Sequence, residues 1–328
     1  MALNAKNAKH AAQIIAGTTG RNLGHKFEEI IIDIINGIDW SIENIDNKLI
    51  DNILVGNPAI ELIKYILNKE KITDIIVIKA SWLGGLATSG LGHQVKDTKG
   101  NIITKSKSDI IIEIVSKDIT KIIGISVKSC NNVKPTNAQL YFTTASAFSQ
   151  FLRNNKILVS VDAENALKMF CGDVGFQPID IMKTIKTRKS DTRRYFWEEL
   201  PAKGKQEWED IFSKKQNEIS KLLLQKAYKD DAFAPNYVMH KTKKSTSFEE
   251  TEVAIYSVDE LIKLSKKYAG FELKPYFIRK GSFKNDKNEH LAPRFGIIQM
   301  QRGGQKQHPT QLQFNLQAGY FYKLATLV

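Results

Sequence analysis

Asp109 and Lys128 stand at the outer ends of two short apolar runs, DIIIEIV over 109–115 and IIGISVK over 122–128, joined by the polar link SKDITK. The β-branched runs and the short link predict an antiparallel hairpin. Side chains on a strand alternate between faces. Asp109, Ile111 and Glu113 therefore share one face of the first arm, and Gly124, Ser126 and Lys128 share one face of the second. Symmetric closure about the link sets Asp109 opposite Lys128, whereas a slip by one residue separates them. A carboxylate and an ammonium projecting together suit phosphodiester hydrolysis. A hard cation such as Mg²⁺ takes carboxylate, carbonyl and water oxygens. It polarises the phosphate and acidifies water, while a nearby lysine orients that water and offsets the charge building on the phosphate. Each residue also has a plainer use, Asp109 as a turn residue and Lys128 as a solvated strand end.

The elements needed to position this pair are legible around it. Residues 24–36 place Phe27, Ile30, Ile31, Ile34 and Ile35 at helical spacing, with Gly37 as the stop. Residues 59–69 read as a second amphipathic helix and 74–79 as a strand. A glycine-rich loop, SWLGGLATSGLGHQVKDTKGN, leads into the hairpin. After it, residues 136–153 read as a helix with Thr136 as a possible N-cap, and 156–161 as a strand. The order is helix, strand, strand, strand, helix, strand, with one extra helix after the first. This predicts an α/β core with a mixed central sheet. Residues 201–229 predict one long helix and 257–268 a shorter one, and the alternation from about 271 onward predicts strands. The expected division is a catalytic core over 1–161 and an α+β elaboration over 162–328 for DNA recognition and dimerisation.

Ser108-Asp109 followed by Ser126-Val127-Lys128 resembles the PD…(D/E)XK motif of restriction-enzyme-like nucleases. The helix bearing Gly24, Phe27 and Glu28 is similar to the GxxFE helix that often precedes that motif, and αβββαβ is the core of that superfamily. The resemblance covers roughly residues 20–161. It implies a type II restriction endonuclease that uses Mg²⁺ on double-stranded DNA, acts as a homodimer beside a companion DNA methyltransferase, and works in the cytoplasm of a bacterial or archaeal cell. By the same resemblance Asp109 is the central metal ligand, Lys128 positions the nucleophile, the Val127 carbonyl is available to the metal, and Glu28 is the helix-borne acid. Ser108 replaces the usual proline, and Ser126 stands where an acid is usual, so a carboxylate must come from elsewhere. Glu28, Glu29 and Glu113 are the candidates. The GxxFE phase favours Glu28, while Glu113 lies four residues, roughly 13 Å, along the strand from Asp109. A repair or recombination nuclease of the same superfamily, or a DNA-binding protein without catalysis, are the other readings.

Charge agrees with a polyanionic partner. Lys+Arg number 48 against 35 Asp+Glu, a formal charge of +13, and cation–phosphate contacts gain from counterion release. From Phe271 to Val328 nine Lys/Arg face three acids, and seven Gln fall between Gln299 and Gln317. Arg and Gln can pair bidentately with guanine and adenine in the major groove. Arg302, Gln305 and Lys306 around the turn QRGGQKQ are therefore candidates for base reading, and Arg188, Arg193 and Arg194 for backbone phosphate. Two cysteines, Cys130 and Cys171, give no CxxC pair and no disulfide framework, which fits a reducing compartment. The first residues show no apolar stretch of signal-peptide length, and no run is long enough to span a bilayer. GLATSGLG lacks the GK[ST] ending of a nucleotide-phosphate loop, and the six His residues show no HExxH spacing.

Overall fold

Isoleucine spacing builds the sheet that carries Asp109. In the computed structural model, which describes residues 7–42, 50–84, 86, 95–97, 99–178, 193–226, 231–278, 285–302 and 310–328, Ile110, Ile112 and Ile114 are wholly buried on one face of their strand. Ile123, Ile125 and Val127 meet them from the next strand, and all six join one hydrophobic core. The chain forms two compact units.

The first unit comprises Met1–Ala138, Leu224–Leu261 and Ala318–Val328. Its elements are α1 (Ala8–Gly37), β1 (Ile53–Gly56), α2 (Pro58–Glu70), β2 (Ile75–Trp82), β3 (Ile110–Ser116), β4 (Thr120–Ser129) and, after a long excursion, β6 (Tyr237–Lys241) and β7 (Thr251–Ser257). They form a six-stranded sheet in the order β1-β7-β6-β4-β3-β2. The sheet is mixed: β4 and β6 run parallel, and the other pairings are antiparallel. The second half of α1 lays Phe27, Ile31 and Ile35 on the core at the spacing expected of one helical face. Asn57 caps α2 by accepting from the Ala59 N–H, Pro58 occupies its first turn, and Lys71 ends it in a left-handed conformation. No helix among the described residues is long and apolar enough to cross a membrane.

The second unit comprises Gln139–Leu223 and Ile262–Gln317. It contains a five-stranded sheet in the order β5-β11-β10-β9-β8, built from β5 (Ala138–Thr143), β8 (Phe271–Ile278), β9 (Asn285–Phe295), β10 (Ile298–Arg302) and β11 (Leu312–Leu316). Helices Ala145–Asn154, Val161–Cys171 and Ala202–Lys214 bury an aromatic set, with Trp208 stacked on Phe148 and Phe212.

Several expectations are corrected. Residues 136–153 are not one helix. Leu140-Tyr141-Phe142-Thr143 holds two aromatics and a β-branched threonine and joins a sheet as β5, and Thr144, not Thr136, caps the helix that follows. Residues 156–161 form no strand. Ile157 and Val159 are buried and Leu158 is 86% exposed, so the alternation is real, but among the described residues no strand pairs with it. Ser160 instead caps the helix from Val161. The parallel neighbour of β4 is β6, so the core is not completed by residue 161, and the compact units divide elsewhere than at 161/162. The long helix expected over 201–229 is two, Ala202–Lys214 and Gln216–Gln225, separated at Lys215. The helix expected at 257–268 runs Val258–Tyr268, with Ser257 Oγ accepting from the Glu260 N–H.

One glycine in β4 is required by packing. A Cβ on Gly124 would collide with Ser108 Oγ and stand 2.9 Å from the Ala234 carbonyl oxygen and 3.1 Å from that of Phe233. Gly124→Ala is expected to destabilise the protein by about 1–3 kcal/mol in chemical denaturation. Adding Ser108→Ala should restore only part of this, because the two carbonyls are backbone and stay in place.

Candidate active site

The hairpin closes in a register two residues from the symmetric one, with Ile110 opposite Ile125 and Val115 opposite Thr120. A shift of two keeps every side chain on its face, so Asp109 still meets Ser126 and Lys128. Asp109 Oδ2 accepts from the Val127 N–H at 2.6 Å, from Lys128 Nζ at 3.2 Å and from Ser126 Oγ at 3.3 Å. Lys128 Nζ also donates to the Val127 carbonyl oxygen at 2.8 Å. Backbone bonds hold Asp109 from both sides: its N–H donates to Ile125 O, and its carbonyl accepts from the N–H groups of Leu83 and Gly84. The Lys128 and Asp109 side chains are 18% and 23% exposed, enough to meet a ligand while keeping a partly desolvated ion pair.

Helix α1 brings Glu28 to the same place. Glu28 is buried, and its Oε2 accepts from Trp82 Nε1 at 2.7 Å. Burial, and then the charge of Asp109, push its carboxyl up to about 8 against the opposing pull of Trp82 and Lys128. Gly84 passes directly over this carboxylate, where a Cβ would collide with Glu28 Oε2 and stand 2.8 Å from Trp82 Nε1. The glycine-rich loop thus has at least one position where a side chain is forbidden. Of the three candidate acids, Glu28 is the one set beside Asp109. Glu29 is exposed on the helix, and Glu113 is exposed between Lys79 and Ile122 along the sheet.

Two further groups border the pair and were not read from the sequence. Lys107 lies within electrostatic range of Lys128 and Asp109, and burial followed by repulsion from Lys128 pushes it down to about 8. Its backbone N–H is held by Asp231 Oδ2. Its place two residues before Asp109 was the available signal. His240 is the β6 neighbour of Lys128 and is buried, with its ring 5.3 Å from that of Phe321. Burial and Lys128 push it down to about 4, so it is neutral at pH 7. His25 stacks edge-on against Trp82, next to Glu28.

Among the described residues no group of three or more His, Cys, Asp and Glu gathers as a metal cluster. The set here is two carboxylates, Asp109 and Glu28, with the Val127 carbonyl. Mg²⁺ is held by one or two carboxylates with water completing its shell, and after burial it is the charge of Asp109 that raises the Glu28 pKa, as a neighbouring carboxylate does. The residues fit.

The groups expected to contact DNA fall in the second unit, where they are described at all. Arg194 hydrogen-bonds Tyr276, and Arg302, from the end of β10, also acts electrostatically on that hydroxyl. Both also act on the buried Cys171 thiol, so two arginines distant in sequence converge. The Arg194 guanidinium lies over the Phe196 ring at 5.1 Å, and Arg193 is exposed. Arg188, Gln305 and Lys306 lie outside the described residues. Comparison with models of known families and with curated proteins finds no match for this chain.

Proposed function

We propose that this protein is a Mg²⁺-dependent endonuclease of the restriction-endonuclease-like class, cutting double-stranded DNA at a short specific sequence. One observation carries the reading: Asp109, at the start of β3, and Lys128, on β4, meet, with Lys128 Nζ donating both to Asp109 Oδ2 and to the Val127 carbonyl oxygen and Glu28 beside them. Supporting it are the helix-borne acid of α1, the antiparallel β2-β3-β4 meander with a parallel strand beside it, and the surplus of basic residues. The site-specific and duplex character rests on the resemblance of the Ser108-Asp109 and Ser126-Val127-Lys128 segments to the PD…(D/E)XK pattern.

Asp109, Glu28 and the Val127 carbonyl would hold the ion. The chemistry Mg²⁺ supplies when bound is polarisation of the scissile phosphate and acidification of water. Lys128 carries its ammonium on the same ligand set, where it orients an attacking water and opposes the negative charge growing on phosphate oxygens. Ser126 Oγ and the Val127 N–H fix the Asp109 rotamer. Lys107 adds positive charge beside the phosphate position. A palindromic recognition sequence suits a twofold homodimer, and a companion DNA methyltransferase would shield the cell's own copies of that sequence.

Incubating plasmid DNA with the purified chain and Mg²⁺ is expected to give discrete fragments, and none in EDTA. Smearing or cleavage confined to branched substrates would move the reading to repair. A gel shift without cutting under any divalent metal would reduce it to DNA binding.

A further inference from the structure

The helix that delivers Glu28 continues upstream as an exposed stretch. Residues 17–23 are exposed at seven consecutive positions, nearly two full turns, and include Leu23 at 47%. A helix exposed on all sides gains nothing from tertiary packing, and this stretch, GTTGRNL, is rich in weak helix formers. At 100° per residue, Arg21 lies seven positions before Glu28 and so on nearly the same face. Gly17 and Gly24 fall on that face as well, and a Cβ built on Gly17, Gly20 or Gly24 meets nothing within 4 Å. The side of α1 that enters the site is thus continued outward as a smooth strip with one cation in it. No Asp or Glu precedes Glu28 in the sequence, whereas Lys6, Lys9, Arg21 and Lys26 do.

Resting on the nuclease reading above, we infer that the Gly17–Gly24 face of α1 is a docking surface for the DNA backbone flanking the scissile phosphate, with Arg21 as its phosphate contact. Geometry favours duplex as the occupant. On that reading the scissile phosphate lies at the ion that Glu28 helps to hold, and Arg21 is about 10 Å further along the helix axis, about three phosphate steps for a duplex running alongside α1. Missing side chains at Gly17 and Gly24 let a backbone approach closely, and residues 17–24 themselves carry no carboxylate to repel a polyanion.

The test measures binding of a fluorescent mixed-sequence duplex of about 30 base pairs, in Ca²⁺, over a range of salt. Arg21→Ala is expected to bind about tenfold more weakly and to lower the log–log salt slope by about one. Lys26→Ala is the control. Lys26 is exposed but lies on the opposite side of the helix, and its variant should keep the wild-type slope. Amide exchange over 17–26 should slow on adding duplex to the wild type. Wild-type affinity in Arg21→Ala, or equal losses in both variants, overturns the assignment. So does an unchanged slope with a shift toward monomer in Arg21→Ala, which would give the face to a second copy of this chain. The nuclease reading fails separately: wild-type protein that binds duplex through Arg21 yet never cuts with Mg²⁺ would leave the docking face standing and remove the catalysis.

Discussion

Asp109→Asn is expected to lower Mg²⁺-dependent cleavage about a thousandfold or more while leaving duplex affinity within about twofold, since several kcal/mol of charge stabilisation is lost at 1.36 kcal/mol per decade of rate. Asparagine keeps an acceptor for the Val127 N–H, so the variant should melt close to wild type. Asp109→Ala removes that acceptor too and leaves a buried donor unpaired, which adds about 1–3 kcal/mol of destabilisation to the same catalytic loss. Lys128→Ala should cut the rate about a hundredfold or more, with binding retained. A purely structural Asp109 would give the reverse pattern, with the alanine variant unstable and the asparagine variant active. Full cleavage by Asp109→Asn would remove the site assignment.

Glu28→Gln is expected to have the second largest effect, and pH identifies it. The wild-type carboxyl holds its proton up to about pH 8, against an ordinary value of 4.5. It must lose that proton to meet a cation, so the Mg²⁺ concentration for half-maximal cleavage should rise about tenfold for each unit below pH 8 and level off above it. Without metal, stability shows the opposite face of the same shift. A carboxyl raised in the folded state contributes stability that is fully present below about pH 4.5 and is lost as pH climbs through about 8. The slope in that window is about 1.36 kcal/mol per unit. Glu28→Gln should flatten this decline, melt higher than wild type above pH 8, and cut poorly at every pH. Denaturation midpoints against pH, with and without Mg²⁺, measure both effects. A wild-type midpoint that does not fall between pH 5 and 8 would remove the perturbed carboxyl from the account.

The site was more legible than the fold around it, for a geometric reason. Parity along a strand decides which side chains share a face, and parity survives a register error of two, so Asp109, Ser126 and Lys128 were grouped correctly from the wrong pairing. The phase of the Phe27-Glu28 helix likewise pointed to the acid that the structure sets beside them. Partners of long sequence separation were not legible. Residues 237–241 and 251–257 become β6 and β7, yet nothing local ties the first to β4, and neither was read as a strand. The run at 156–161 alternates in burial as a strand should, but Lys156 is left-handed, Ser160 already caps the next helix, and among the described residues no strand pairs with it. Lys107 was passed over because two serines and another lysine surround it in a segment that reads as loop.

The parallel pairing of β4 with β6 spans about a hundred residues of intervening chain, most of them belonging to the second unit. During synthesis, the strand bearing Lys128 therefore emerges with a bare edge and stays so until residue 241 has left the ribosome. Exposed edges invite pairing with other chains, and contacts of such long separation form late. A nascent or truncated product ending near residue 161 would therefore keep this edge bare and be prone to aggregate, and on the nuclease reading it would be unable to cut.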